Sequence, residues 1–496
     1  MSHNNKKILY IVLGVSLVAA VIFGLYSYAG QEAFIRTTLS GLTLGSLFFL
    51  VAAGLTLIFG LMDVLNFAHG SMFMLGAYAG WQFYTNPTFI FGILPLLLAF
   101  AAGVMLVPLV KPLLVRLELS ESWQKRLPNL MYFTALIVAV LALINFDILG
   151  LAETAMVAAT TTSSNPLAEL SPQEPLLRFV WRPLLLMLSG ALVAVGVSKP
   201  GDRTEISAYD PIRKRLILPV VLFVLTIIFT LVRESASEAV LLMDGNLRFG
   251  LSILAATLFG LLLGSLIEIT MIRPLYVRSF FIVLMTLGLS FVLRELVQVL
   301  WDPLAYQMVR PPLFAQPGRA TTIAEWLMNG SSTISIAGVT FPTYRLFVIL
   351  LGLVMFVFVT LLMTRTRLGM IIRAGVQDQQ MVEALGINVK RVFTLVFGLG
   401  VALAALGGIG AAPFLPVQPM MGDQYQMQGF ITVVIGGMGS YVGAFVGAMI
   451  LGMARAFGDY FALKLQLSPT IAEASTVIIM IVVLLLRPQG LFGKKD

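Results

Sequence analysis

The sequence has no cysteine, which excludes disulfides, thiolate nucleophiles and Cys-based metal sites. Charge is scarce: 11% of residues are Asp, Glu, Lys or Arg, against about 25% in a soluble globular domain. Histidine is nearly absent, with only His3 and His69 in 496 residues. No G-x-x-x-x-G-K-[ST] phosphate loop occurs, so energy drawn from ATP has to come from another chain. The motifs HExxH and G-x-S-x-G are also missing. The usual intramembrane hydrolases are thereby disfavoured, and neither a cofactor nor a metal is expected.

What is present is apolar. Hydrophobic residues make up 58% of the chain and the mean hydropathy is +0.95. The apolar runs are long and continuous rather than alternating, so the expectation is an all-α polytopic membrane protein rather than a β-barrel. The formal net charge is +8, but the cations cluster in a few loops. That pattern orients spans in a bilayer and gives no reason to expect nucleic acid.

The richest such loop is residues 364–391, TRTRLGMIIRAGVQDQQMVEALGINVKR. Arg365, Arg367, Arg373, Lys390 and Arg391 stand against only Asp378 and Glu383. Cationic loops stay on the cytoplasmic side, so this loop orients all the other spans. From Asp378 to Leu385 it contains no Pro or Gly, and Gly386 offers a helix stop. A short surface helix facing a cytoplasmic partner is predicted there.

Taken in order, Lys6 and Lys7 precede an apolar run from Ile8 to Ala29 that is read as an uncleaved anchor, so residues 1–32 form an N-terminal membrane helix. Residues 33–87 hold two apolar runs, rich in glycine, that join at Asp63 to His69. Asn66 and His69 form a polar pair at this helix break, where membrane depth demands that protein or water satisfy them. Both bracing of the break and a place on a translocation path fit the pair. Residues 88–246 carry further apolar runs whose connectors alternate in charge. Leu130 to Gly150 is read as one run, and Glu153 to Glu174 as an acidic connector. Residues 247–496 contain the cationic loop, a long polar connector from Trp301 to Thr343, and the ambiguous stretch 428–457. We read that stretch as a re-entrant pair broken at Gly436, Gly437 and Gly439, because one full span would put Arg487, Lys494 and Lys495 on the wrong side. About 12 full spans result, with both termini cytoplasmic.

Five motifs in order carry a resemblance: Leu65 to Gly70 (LNFAHG), Arg273-Pro274-Leu275, RAGVQDQQMVEALGIN ending at Asn388, GGMGSYVGAFVGAMILG, and Arg487 to Gly493 (RPQGLFG). Together they resemble the LivH/LivM-type branched-chain amino acid permease family of ABC importers, to which urea and short-amide permeases are also similar. The resemblance covers roughly residues 36–86 and 250–493. Four spans between them exceed the family's usual length, so residues 88–246 are read as an insertion.

The resemblance implies an ABC importer permease fold in a bacterial or archaeal plasma membrane. The implied partners are two cytoplasmic ATPase subunits, a second permease subunit and an extracellular solute-binding protein. The cationic loop would be the coupling helix that docks into the ATPase. Arg373, Ala374, Asp378, Leu385, Gly386, Ile387 and Asn388 fall on that motif, while Glu383 and Ala384 loosely resemble the wider EAA loop of importers. Asn66, His69, Gly436, Gly437, Gly439 and Ser440 are the expected path or gate elements. The expected cargo is branched-chain or other amino acids, with urea-like amides second. An ion-coupled carrier is the main rival. Carriers place Asp, Glu or His at mid-membrane, whereas Asp63, Glu268, Arg294, Glu295 and Glu473 all fall within about two turns of a span end.

Overall fold

The computed structural model describes residues 23–62, 65–107, 109–110, 121–144, 146–160, 176–198, 212–276 and 278–493. Most of the expected amino-terminal anchor, and Asp63, lie outside these residues. The helices are α1 (Gln31–Met62), α2 (His69–Thr85), α3 (Thr88–Val104), α4 (Glu121–Leu143), α5 (Ile148–Thr160), α6 (Leu176–Val197), α7 (Ile212–Leu242), α8 (Gly245–Ile267), α9 (Ser279–Trp301), α10 (Thr343–Arg365), α11 (Arg367–Gln377), α12 (Gln379–Ala384), α13 (Val389–Ala411), α14 (Met421–Gly436), α15 (Tyr441–Lys464) and α16 (Thr470–Leu486). The chain divides into two units, one of residues 1–81 with 245–496 and one of residues 82–244.

Among the described residues eight helices are long and apolar enough to cross a membrane, or nine if His69–Thr85 and Thr88–Val104 count together. Apolar runs alone suggested about twelve. Most of the expected first span lies outside the described residues, and α2, α3, α16 and the apolar part of α6, Trp181–Val197, have only 17 residues each, below the roughly 20 a bilayer requires.

In the first unit, α1 and α13 form the centre. Their apolar windows are 83% and 78% buried, against 22% for α10. Small residues make this possible. On α1, Gly41 and Gly45 lie against Met453, Ala448 and Met449 of α15, and a Cβ on Gly452 would strike the backbone of Gly41 and Gly45. Paired small-x-x-x-small ridges let helix backbones touch where lipid supplies no hydrophobic driving force. The outer helices turn large apolar side chains outward, among them Phe280, Val299 and Leu262, as lipid contact requires.

The connector 302–342 carries a three-stranded sheet in the order β1 (Arg319–Ala320), β2 (Thr333–Ile336), β3 (Val339–Pro342), with β1 and β2 parallel and β2 and β3 antiparallel. The β2–β3 hairpin turns on Ala337 and Gly338, both with positive φ, as its two-residue loop requires. Tyr306 pairs with Val417, joining this connector to the segment beyond α13.

In the second unit the run 130–150 is divided. Helix α4 ends at Leu143, and Asp147 accepts from Gly150 N at 2.7 Å to start α5. Helix α5 then occupies 148–160, where part of the acidic connector was expected. Ala99, Ala142 and Leu186 form the core of this unit.

Candidate functional site

At the first break, Asn66 Oδ1 accepts from Ala68 N at 3.0 Å, and its main-chain oxygen accepts from Gln426 Nε2 at 3.2 Å. Gln426 Oε1 accepts from Gly70 N. One amide side chain on α14 therefore satisfies both strands of the break. His69 Nε2 lies 3.2 Å from Val51 O. A carbonyl only accepts, so Nε2 carries the proton and Nδ1 is the bare nitrogen. Among the described residues Nδ1, like Asn66 Nδ2, has no partner. The ring packs on α1 where a Cβ at Gly54 would sit 2.7 Å from Nε2. Asn66 and His69 are 1% and 0% exposed, so neither meets solvent in this conformation.

The second break falls at 437–440, as the glycines predicted. Gly437 and Gly439 have φ of 97° and 81°, a backbone region that favours glycine. Ser440 Oγ accepts from Gly443 N at 3.1 Å and caps α15. However, α15 is a 24-residue helix of full crossing length, not a half-helix. The break is closed by residues 487–493: Leu491 N donates to Ile435 O at 2.9 Å and Phe492 N to Gly436 O at 3.0 Å. A Cβ on Gly437 would lie 2.5 Å from Gly493 N. Two motifs that sequence reading kept separate thus form one joint. The two breaks are linked through α14, whose Gln426 bonds the first and whose end forms the second, and through α1, where a Cβ on Gly60 would lie 3.7 Å from Gly439 Cα.

The cationic loop holds two helices rather than one, and three side-chain caps set its course. Thr366 Oγ1 accepts from Gly369 N at 3.1 Å to begin α11. Asp378 Oδ1 accepts from Met381 N at 2.9 Å to begin α12. Asn388 Oδ1 accepts from Arg391 N at 3.1 Å to begin α13. Each short polar residue takes up an orphan N–H of a first turn. Gly386, with φ of 82°, ends the turn after α12. Val382 is buried while Met381 and Leu385 are 60% and 73% exposed. Arg373, Ala374, Glu383, Ala384, Gly386 and Asn388 are exposed around them, and Ile387 is half-buried.

Behind the loop lies a network that sequence reading leaves without a role. Helix α8 runs into a π-helical turn, Glu268–Ile272, a geometry frequent at functional sites. Glu268 is fully buried. It accepts from Arg273 Nε at 3.1 Å and Nη2 at 2.8 Å, from Thr394 Oγ1 at 2.7 Å, and from the Tyr276 hydroxyl. Burial, then the bond to Glu268, raises the Tyr276 phenol, which stays a proton donor. Thr394 lies in the first turns of α13, so the network ties α8 to the helix that leaves the loop. Its sequence traces are the Arg273-Pro274 motif and Glu268, which reads as a span-end charge.

The family model described as branched-chain amino acid transport system / permease component matches residues 37–234 and 185–486. Over 173 residues the chain is 31% identical to the high-affinity branched-chain amino acid transport system permease protein LivH of Salmonella typhimurium, covering 35% of this chain and 54% of that protein. It is 33% identical over 169 residues to the corresponding BraD of Pseudomonas aeruginosa, covering 34% and 52%. A 94-residue stretch is 36% identical to the ribose import permease protein RbsC of Escherichia coli, covering 18% and 29%. The chain thus spans about half the length of the LivH and BraD relatives it matches. No solved structure matches it. With both matched ranges together covering most of the chain, this protein belongs to the family of branched-chain amino acid transport permease components.

Proposed function

We propose that the chain is the transmembrane permease subunit of an ATP-driven, binding-protein-dependent importer of branched-chain amino acids in a prokaryotic plasma membrane. It would work with a second permease subunit, two cytoplasmic ATPases and a solute-binding protein. The observation that carries this reading is the loop 366–391. Its helices are capped at Thr366, Asp378 and Asn388, and they present Met381 and Leu385 to solvent. Exposed apolar side chains ringed by charge mark a docking face. Both ends of the loop continue into spans, α10 and α13, so a push on α12 would move α13 as a rigid body. The buried Glu268–Thr394 bond would pass that motion to α8. With the loop cytoplasmic, both termini lie inside, α14 descends part-way through the bilayer, and the joint at 436–440 closes the inner end of the path. Asn66 and His69 line or brace that path at mid-depth.

The test is reconstitution with the ATPase and binding-protein partners in liposomes. Leu385→Glu and Met381→Glu should abolish ATPase association and leucine uptake while the permease still purifies folded. Unchanged uptake by the double variant would end the reading. The ion-coupled carrier has one supporting observation, the buried carboxylate of Glu268. Leucine uptake that survives ATP depletion and collapses with the proton gradient would favour it.

A further inference from the structure

A cavity of about 550 Å³ opens beside α15 and α16. This lies within the roughly 300–1,000 Å³ of small-molecule sites. Three charged side chains meet in its wall. Arg455 Nε is 3.4 Å from Asp459 Oδ2, and Nη2 is 3.5 Å from Glu473 Oε1. Neither contact has hydrogen-bond geometry, so among the described residues the guanidinium has donors left for another acceptor. Its side chain is 23% exposed, against 49% and 62% for the two carboxylates. Phe48, Ile431 and Val477 supply apolar wall. Arg455 and Asp459 lie in the last three turns of a helix of crossing length.

We propose that this cavity is a binding site for a free zwitterionic amino acid with an aliphatic side chain. Arg455 takes the carboxylate through its planar fork, Asp459 and Glu473 take the ammonium, and the apolar wall takes the side chain. Leu415, Pro416 and Gln418 also line the cavity. They follow α13, which begins at the cationic loop and ends at Ala411. The site therefore lies at the opposite end of the bundle from the loop. Its description as an outer receiving site rests on the proposed function, but the binding itself does not.

The same charges occur on a phosphoethanolamine lipid headgroup, so the test separates the two sources. The full chain is placed in discs of phosphatidylglycerol, and in a second set containing phosphatidylethanolamine. Binding of L-leucine is measured by calorimetry beside leucinol, which lacks the carboxylate, and 4-methylpentanoate, which lacks the ammonium. L-leucine is expected to saturate equally in both sets, with each half-ligand weaker by about 10- to 100-fold, the worth of a charged hydrogen bond. Arg455→Gln should abolish leucine binding, and Glu473→Gln should weaken it. Leucinol binding as tightly as leucine would reassign the site to amines. Loss of leucine binding only in phosphatidylethanolamine discs would assign it to lipid. Absence of saturation in wild-type protein would refute it without recourse to a variant. Saturable binding in a protein that no ATPase drives would sink the importer and leave the site. ATP-driven uptake with an unchanged KM in Arg455→Gln would sink the site and leave the importer.

Discussion

Replacing Glu268 by alanine removes a fully buried carboxylate that four donors address. Removing one partner of a buried ion pair costs about 3–5 kcal/mol. Two features place this site at the low end. The Arg273 side chain is 30% exposed, so water recovers part of its solvation. Thr394 Oγ1 also lies 2.9 Å from Lys390 O, so its single proton can turn to that carbonyl once the carboxylate is gone. We expect a loss of about 3 kcal/mol, a factor of roughly 150 in the unfolding equilibrium. Glu268→Gln keeps the shape but turns an amide N–H₂ toward donors, and should lose somewhat less. The assay is reversible denaturation of the detergent-solubilised chain, with a double-mutant cycle against Arg273→Met. Coupling energies for contacting charged pairs run from about 0.5 to 3 kcal/mol. If Glu268→Ala changes stability by less than 1 kcal/mol and the cycle closes without coupling, roughly zero on that scale, the network does not hold α8 to α13. In the importer proposed above, Glu268→Gln would also raise the ATP hydrolysed per solute moved, since α13 would no longer share its push with α8.

Four further outcomes are expected. Gly452→Ala drives a Cβ into the backbone of Gly41 and Gly45 and should destabilise by about 1–3 kcal/mol, whereas Gly288→Ala, with nothing within 4 Å, should be neutral or gain up to about 1 kcal/mol; thermal denaturation of both decides this. Gly437→Ala combines an unfavourable φ, costing roughly 1–2 kcal/mol, with a clash at Gly493, so the Leu491 and Phe492 amides should lose hydrogen-exchange protection. Asp378→Ala should cost about 1 kcal/mol and speed exchange at the Met381 amide without unfolding α13. In the connector, the Thr321 amide and hydroxyl bond Glu325 at 2.7 and 2.8 Å and hold its carboxyl below the usual range. Because the folded value is the lower one, this bond is fully present above the unfolded pKa of about 4.3 and is lost as pH falls through the folded value; protection of the Thr321 amide across an acid titration reads it.

The all-helical membrane character, the loop and both breaks were legible because each leaves a one-dimensional trace: long apolar runs, clustered cations, grouped glycines. Asp378 and Gly386 could be placed because capping and positive φ are local. Thr366 and Asn388 were equally local, and an S/T/D/N-cap search would have found them. Gln426 could not be found, since its partners Asn66 and Gly70 lie more than 350 positions away. Glu268 was seen but taken for a span-end charge, because its fourth donor, Thr394, arrives from another helix. The division of 130–150 at Asp147 was missed because the flanking residues are apolar on both sides. The share of glycine that serves close approach on α1 and α15 became separable from the share that serves turns only once φ was known.

The seven residues that seal the turn between α14 and α15 are translated long after it. Fifty residues, 437–486, separate Gly436 from Arg487, which is roughly 3–10 s of synthesis at about 5–20 residues per second. Throughout that interval the carbonyls of Ile435 and Gly436 await their donors while α15 and α16 are already being inserted. A ribosome stalling in α16, or a message broken there, would leave that turn unlatched. Cellular quality control could recognise it by this open seam.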